Sequence, residues 1–280
     1  MIGRDRVARL VLGTAAFGPY AGLPALATVD ARRLVRSAAL EGIRWFDCAP
    51  TYGESDRVVG HELSQWFRTR LATKVGAHLT YHTVRAIVTG LGSIHPNLIQ
   101  IHNATVETFA DRFGAWRAVQ DIKAERGIFI GASVYELDEA RAAIASGADF
   151  LQVPFNVLDR RMLAIFDQAE AAKVRVWVRS VWLRGALASP DAQCPAETKR
   201  AADRARRRQL CSWATWAELA LRYALSFRQV TGVVIGPRTE SELLAAVAAA
   251  EKGPLTWYRR ALLESVAEPP RAVTDPRRWD

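Results

Sequence analysis

The sequence predicts one α/β domain over residues 1–280, a closed (β/α)8 barrel of the TIM type. Three observations predict it. Short β-rich runs alternate eight times with longer amphipathic runs, as in βα units on a parallel sheet. A length of 280 residues suits a single barrel of this kind. There is no G-x-G-x-x-G turn after the first strand and no G-x-x-x-x-G-K-[ST] loop, so an open nucleotide-binding sheet is disfavoured.

The elements follow in order. A strand over 8–12 leads to a helix over 29–41 behind Thr28. A strand over 43–46 leads to a helix over 56–67 behind Ser55. Residues 71–74 and 83–91 form the third pair. A strand over 98–101 precedes a long helix over 106–126 that opens at Thr105. Residues 128–131 pair with 137–146, and residues 150–153 with 159–172, opened by Asp159. After the strand over 174–178 comes the longest irregular stretch, roughly 188–206, and then a helix over 213–225. Long loops at a barrel mouth are usually functional. Residues 232–235 and 239–249 complete the set. The tail over 256–280, with Pro269, Pro270 and Pro276, is read as packing on the barrel and ending irregularly.

Composition narrows the function. The 38 basic and 29 acidic residues give a net charge of +9, which admits nucleic acid or an anionic ligand. The densest run, KRAADRARRR at 199–208, reads as a solvated loop or helix face, the other reading being a site for a cofactor pyrophosphate. No nucleic-acid motif accompanies the charge, so no nucleic-acid partner is expected. No apolar run reaches the roughly 18 residues of a membrane helix. Residues 1–9 lack an apolar signal region. Cys48, Cys194 and Cys211 have no metal-ligand spacing. The expectation is a cytoplasmic protein with reduced thiols and no metal.

In such barrels the chemistry gathers at the C-terminal ends of the strands. Six consecutive strand candidates end on Asp47, Lys74, His102, Ser133, Gln152 and Arg179. One such residue is more often a surface group or a satisfied core group. Six at one mouth resist that reading, because each buried charge needs a partner or costs several kcal/mol. Tyr52 lies five residues past Asp47, in the loop over the same mouth. A tyrosine titrates near pH 10 and is a poor acid at neutrality, but a neighbouring ammonium stabilises its phenolate. Asp47 would hold Lys74 charged, and His102 would bind a substrate oxygen. The set suits general acid catalysis of carbonyl reduction, or the reverse oxidation. It supplies no hydride, so a nicotinamide cofactor is required. Trp45, Phe17, Tyr20, the loop after His102 and the tail are expected to wall the pocket, with Trp182 beside Arg179.

The segments LVLGTAAFG at 10–18, GIRWFDCAPTYGESDRVVGHEL at 42–63, LATKVG at 71–76, LIQIHN at 98–103, GASVYE at 131–136, LQVPFNVLDRRML at 151–163, RSVWLRGAL at 179–187 and VVIGPRTESEL at 233–243 together resemble the aldo-keto reductase family. The resemblance implies Tyr52 as acid and base, Asp47 and Lys74 as its tuners, and His102 as substrate orienter. It implies NADPH across the mouth, with Thr14 among its contacts. Ser133 and Gln152 would hold the carboxamide, and the loop with Leu183 and Gly185 would flank the pyrophosphate. Gly236, Arg238 and Thr239 would meet the adenosine phosphate. Three changes depart from the family pattern. Val134 replaces the usual Asn, and Arg179 stands where most members stack a Tyr on the nicotinamide. Ala245 and Ala246 replace a Glu-Asn pair at the adenine, while Glu242 occupies a position often basic, leaving Arg238 to meet a 2′-phosphate. The SVY and RSVWL segments and the DPRRW tail look like a bacterial subgroup of the family. The leading function is NADP(H)-dependent reduction of an aldehyde, ketone or sugar-like carbonyl by a monomer. A non-redox enzyme (epimerase, lyase or dehydratase) and a cofactor-poor binding protein are the alternatives.

Overall fold

In a computed structural model of the protein, residues 7–19, 24–64, 66, 68–92, 94–207 and 214–279 are described. Eight parallel strands close into a barrel in sequence order: β1 (Leu10–Gly13), β2 (Trp45–Asp47), β3 (Arg70–Gly76), β4 (Leu98–His102), β5 (Phe129–Ser133), β6 (Phe150–Pro154), β7 (Arg175–Arg179) and β8 (Val230–Ile235). The helices are α1 (Thr28–Leu40), α2 (Ser55–Leu63), α3 (Tyr81–Gly90), α4 (Val106–Ala110), α5 (Ala115–Arg126), α6 (Leu137–Ala145), α7 (Phe166–Ala171), α8 (Ala196–Arg207), α9 (Trp216–Leu225), α10 (Glu240–Glu251), α11 (Trp257–Glu264) and α12 (Arg271–Thr274). The predicted strands are all present, with ends shifted by a few residues.

Strands covered on both faces read as nearly continuous apolar runs, and here they separate two cores. The larger lies between strands and helices and holds Leu12, Phe46, Ile99, Ile101, Leu151 and Val178. The smaller fills the barrel interior with Val11, Ala72, Leu98, Phe150 and Trp177, against which Trp45 and Phe129 pack. Trp45 lies 5.2 Å from Trp177 and 5.6 Å from Phe150, ring centroid to centroid. Gly232 faces Trp177 across the β7–β8 ladder, and a Cβ there would stand 2.4 Å from the indole, so only glycine admits the ring. Outside this plug, the Arg175 guanidinium covers Phe129 at 4.7 Å and that of Arg70 covers Trp45 at 5.5 Å. The N-terminal end of the barrel is therefore sealed. This corrects the expected position of Trp45, which plugs the floor instead of walling the mouth.

Other departures have local causes. The helix expected over 106–126 breaks into α4 and α5 because Asp111 turns the chain, its carboxylate accepting the Phe113 N–H at 2.9 Å. The stretch expected to be irregular contains α8, whose buried face is Thr198, Ala201, Ala202 and Ala205. Residues 199–207 of the basic run lie in that helix, and Thr198 Oγ1 donates to the Val273 carbonyl at 2.7 Å, tying it to the tail. The tail itself forms α11, α12 and a 3-10 turn over Pro276–Arg278. Ahead of α7 the chain runs as a 3-10 turn, Arg161–Ile165, and Asp159 pairs with Arg161 instead of capping a helix. Thr105 does cap α4, donating its N–H to Thr108 Oγ1 at 3.0 Å, whereas Thr28 and Ser55 are first helical residues. Tyr20, Cys211, Trp213 and residues 1–6 lie outside the described residues. Among the described residues no helix is long and apolar enough to cross a membrane, and no group of side chains could hold a metal.

Candidate active site

Side chains alternate along a strand, so Trp45 and Asp47 both face inward, two layers apart. Asp47 reaches the open end. Lys74 arrives from β3 and donates from Nζ to Asp47 Oδ1 at 2.7 Å and to the Cys48 carbonyl at 3.2 Å. Both residues are buried, with relative exposures of 2% and 1%. Charges at that depth persist only when paired and hydrogen-bonded. Gln100, opposite Lys74 in the β3–β4 ladder, donates to Asp47 Oδ1 at 3.5 Å. Sequence reading passed over Gln100, although the same alternation that exposes His102 places it inward.

Tyr52 ends a 3-10 turn, Pro50–Tyr52. Ser55 closes the loop by donating from Oγ to the Ala49 carbonyl at 3.1 Å. The β1 loop packs directly on this turn: a Cβ at Gly18 would lie 2.4 Å from the Tyr52 carbonyl carbon. The phenol ring is buried. Lys74 Nζ lies 5.1 Å from its centroid, and the His102 ring lies 6.0 Å away, edge-on at 86°. The four predicted residues thus converge. Thr14, wholly buried, fixes the Asp47 backbone, its N–H and hydroxyl both donating to the Asp47 carbonyl at 3.1 and 3.0 Å.

Burial, then the charges of Lys74 and Arg179, push the His102 imidazole down to about 3. It is neutral throughout the physiological range. An unfolded His102 titrates near 6.5, so between about pH 6.5 and 3 the unfolded chain binds more protons, and stability falls as the pH drops through that window. Of the five histidine resonances, that of His102 is expected not to titrate between pH 5 and 8 in NMR; a midpoint near 6.5 would overturn this.

A cavity of about 830 Å³ opens beside Lys74 and His102, walled by Thr51, Leu79, Asn103 and Asp111 among others. It follows the loops after β3 and β4, as expected for the loop after His102. Phe17 is buried in the larger core. Trp182 donates its indole N–H to the Ala217 carbonyl at 2.9 Å, which draws it toward α9 instead of Arg179.

On the opposite side Ser133 and Gln152 are register partners, both buried. Gln152 Nε2 is buried with no hydrogen-bond partner among the described residues. Arg179 Nη2 donates to the Val134 carbonyl at 3.3 Å, and its guanidinium lies 3.9 Å over the Tyr135 ring. Among the described residues it has no carboxylate partner. Leu183, Arg184 and Gly185 take φ values of 48°, 50° and 88°, and left-handed non-glycine residues are strained. Arg206 of α8 holds this loop, donating to the Ala186 carbonyl and to that of Ser189. At the start of α10, Thr239 accepts from the Glu242 N–H at 3.2 Å, and Glu242 accepts from the Arg238 N–H at 2.7 Å. Arg238 Nη2 donates to the Pro24 carbonyl at 2.9 Å, while Nη1 is buried with no partner among the described residues. Gly236 is exposed, as is Ala245, and Ala246 is buried.

The aldo/keto reductase family model matches residues 9–268. The holo form of an aldo-keto reductase from Bacillus halodurans superposes with a TM-score of 0.78 at 23% identity, covering 93% of this chain and 92% of that one. Its apo form gives 0.74 at the same identity and coverage. A Pseudomonas aeruginosa protein assigned to the aldo-keto reductases gives 0.67 at 20% identity, covering 87% of this chain and 90% of that one. At these identities the likeness is one of fold. A comparison with curated protein sequences gives no significant match. With the barrel closed as above and the family model spanning nearly its whole length, the chain belongs to the aldo/keto reductase family.

Proposed function

We propose that the protein is an NADP(H)-dependent oxidoreductase that reduces an aldehyde, ketone or sugar-like carbonyl, with Tyr52 as general acid and base. The observation that carries this reading is the buried Asp47–Lys74 pair set against the face of Tyr52. Tyr52 passes its proton to the substrate oxygen, and Lys74 stabilises the phenolate left behind. Asp47 keeps Lys74 charged and in place. Neutral His102 hydrogen-bonds the same oxygen and orients it. In the reverse direction the phenolate takes the proton back.

The chain has groups that fit the cofactor. The partnerless Gln152 Nε2 suits a carboxamide oxygen, with Ser133 beside it. Arg179 meets the nicotinamide end, the strained loop at Leu183 and Gly185 the pyrophosphate, and Gly236, Arg238 and Thr239 the adenosine phosphate. When bound, the nicotinamide supplies the hydride that no side chain here can give. We place this work in the cytoplasm, by a monomer.

A non-redox enzyme is the second reading, favoured by Ala245 and Ala246, which offer adenine no polar group. Titration with NADPH, followed by nicotinamide absorbance with a carbonyl panel, separates the two. Binding with turnover supports reduction, and binding without oxidation of the cofactor by any carbonyl sinks it. Arg238 should set the preference for NADPH, since a charge-assisted phosphate contact is worth about 1.5–3 kcal/mol. Arg238→Ala is expected to weaken NADPH binding roughly tenfold to a hundredfold and to leave NADH little changed. Equal losses for both cofactors would show that Arg238 only braces the loop through Pro24.

A further inference from the structure

Tyr135, in the loop after β5, carries two guanidinium groups. That of Arg179 lies 3.9 Å from its ring centroid and that of Arg277, in the tail, lies 3.5 Å away. Two such groups do not fit at those distances on one face, so they cover opposite faces of the ring. Tyr135 as a whole is 8% exposed.

The two cations are held differently. Arg277 donates from Nε to Asp275 Oδ1 at 3.1 Å and from Nη2 to Asp275 Oδ2 at 2.8 Å, with Glu136 Oε1 at 3.3 Å. Asp275 is wholly buried and also pairs with Arg271 and Arg278. Arg277 is thus a plate anchored by two carboxylates. Among the described residues Arg179 has only the Val134 carbonyl and the Tyr135 ring. Stacking on an aromatic is a firm hold for a planar guanidinium. The chain of support runs from Asp275 through Arg277 and Tyr135 to Arg179. Its far end lies beyond residue 268, where the family match stops.

We infer that Tyr135 and Arg277 are positioning residues that fix the Arg179 guanidinium at the nicotinamide end of the site, making the carboxyl-terminal tail part of the discrimination between oxidised and reduced cofactor. The inference rests on the proposed contact of Arg179 with the nicotinamide. A cation held there repels the positively charged oxidised ring and tolerates the neutral reduced one. If Arg179 swings free, that distinction weakens.

The test is calorimetric binding of NADPH and of NADP+ to the full chain, read as the ratio of the two dissociation constants. Arg179→Met is expected to reduce the preference for NADPH. Tyr135→Leu should reduce it by about three- to tenfold, the size of a cation–π contact, while Tyr135→Phe keeps the ring and the preference. Tyr135→Leu added to Arg179→Met should change nothing further. Arg277→Met, farther from the cofactor, should shift the ratio in the same direction and keeps the test open if Tyr135→Leu fails to fold. An unchanged ratio in Tyr135→Leu or, where that variant does not fold, in Arg277→Met overturns the inference, given that Arg179→Met moves it. So does a Tyr135→Leu effect that persists without Arg179. If Arg179→Met itself leaves the ratio unchanged, the nicotinamide contact is wrong and this inference falls with it.

Discussion

Tyr52→Phe is expected to abolish turnover while leaving the fold and NADPH affinity nearly intact. The substitution removes one oxygen and keeps the ring. The ring packs between Lys74 and His102, and the close contact with Gly18 is made by the Tyr52 backbone, so neither depends on the hydroxyl. A positioned general acid contributes about 10²–10⁴-fold. The two nearest groups among the described residues do not replace it: Lys74 is committed to Asp47, and His102 is neutral and hard to protonate. The expected result is a loss of about a thousandfold or more in kcat/KM, with an unaltered thermal midpoint and unaltered cofactor titration. Near-native turnover would remove Tyr52 from the mechanism.

Lys74→Met should cost both activity and stability, and the stability loss has a diagnostic signature. Removing one partner of a buried pair leaves an uncompensated charge, at about 3–5 kcal/mol. Among the described residues Asp47 would keep only the 3.5 Å contact from Gln100 at its carboxylate. Replacing both partners by apolar residues of similar size is much less damaging. Urea unfolding should therefore show Lys74→Met well below the double variant Asp47→Leu/Lys74→Met, with neither turning over substrate. A double variant as unstable as the single one would mean that the loss comes from packing and not from the orphaned carboxylate.

Much of this site was legible in the chain because strand alternation and barrel topology act together. A polar residue closing an apolar run must emerge at the mouth, and Asp47, Lys74, His102, Ser133, Gln152 and Arg179 do so. Alternation gives the facing of a side chain and not its depth. Trp45 and Asp47 both point inward, yet one is floor and the other is mouth, and only the closed register shows which. The helix α8 was hidden because its buried face is alanine and threonine, too weak an apolar signal beside so many arginines. The partnership of Tyr135 with Arg277 left no local trace. It joins a loop to the far end of the chain, and neither residue type demands an aromatic or cationic neighbour.

The sealed floor divides the molecule into a half that can vary and a half that cannot. Trp45, Phe129, Phe150 and Trp177 interlock with Gly232 beneath two stacked arginines, and the cavity wall is supplied by the loops after β3 and β4. Loop residues such as Thr51, Leu79 and Asn103 are not part of that floor cluster. Libraries confined to those loops would explore new substrates without eroding the foundation, whereas the same number of changes among the floor aromatics would be spent on folding alone.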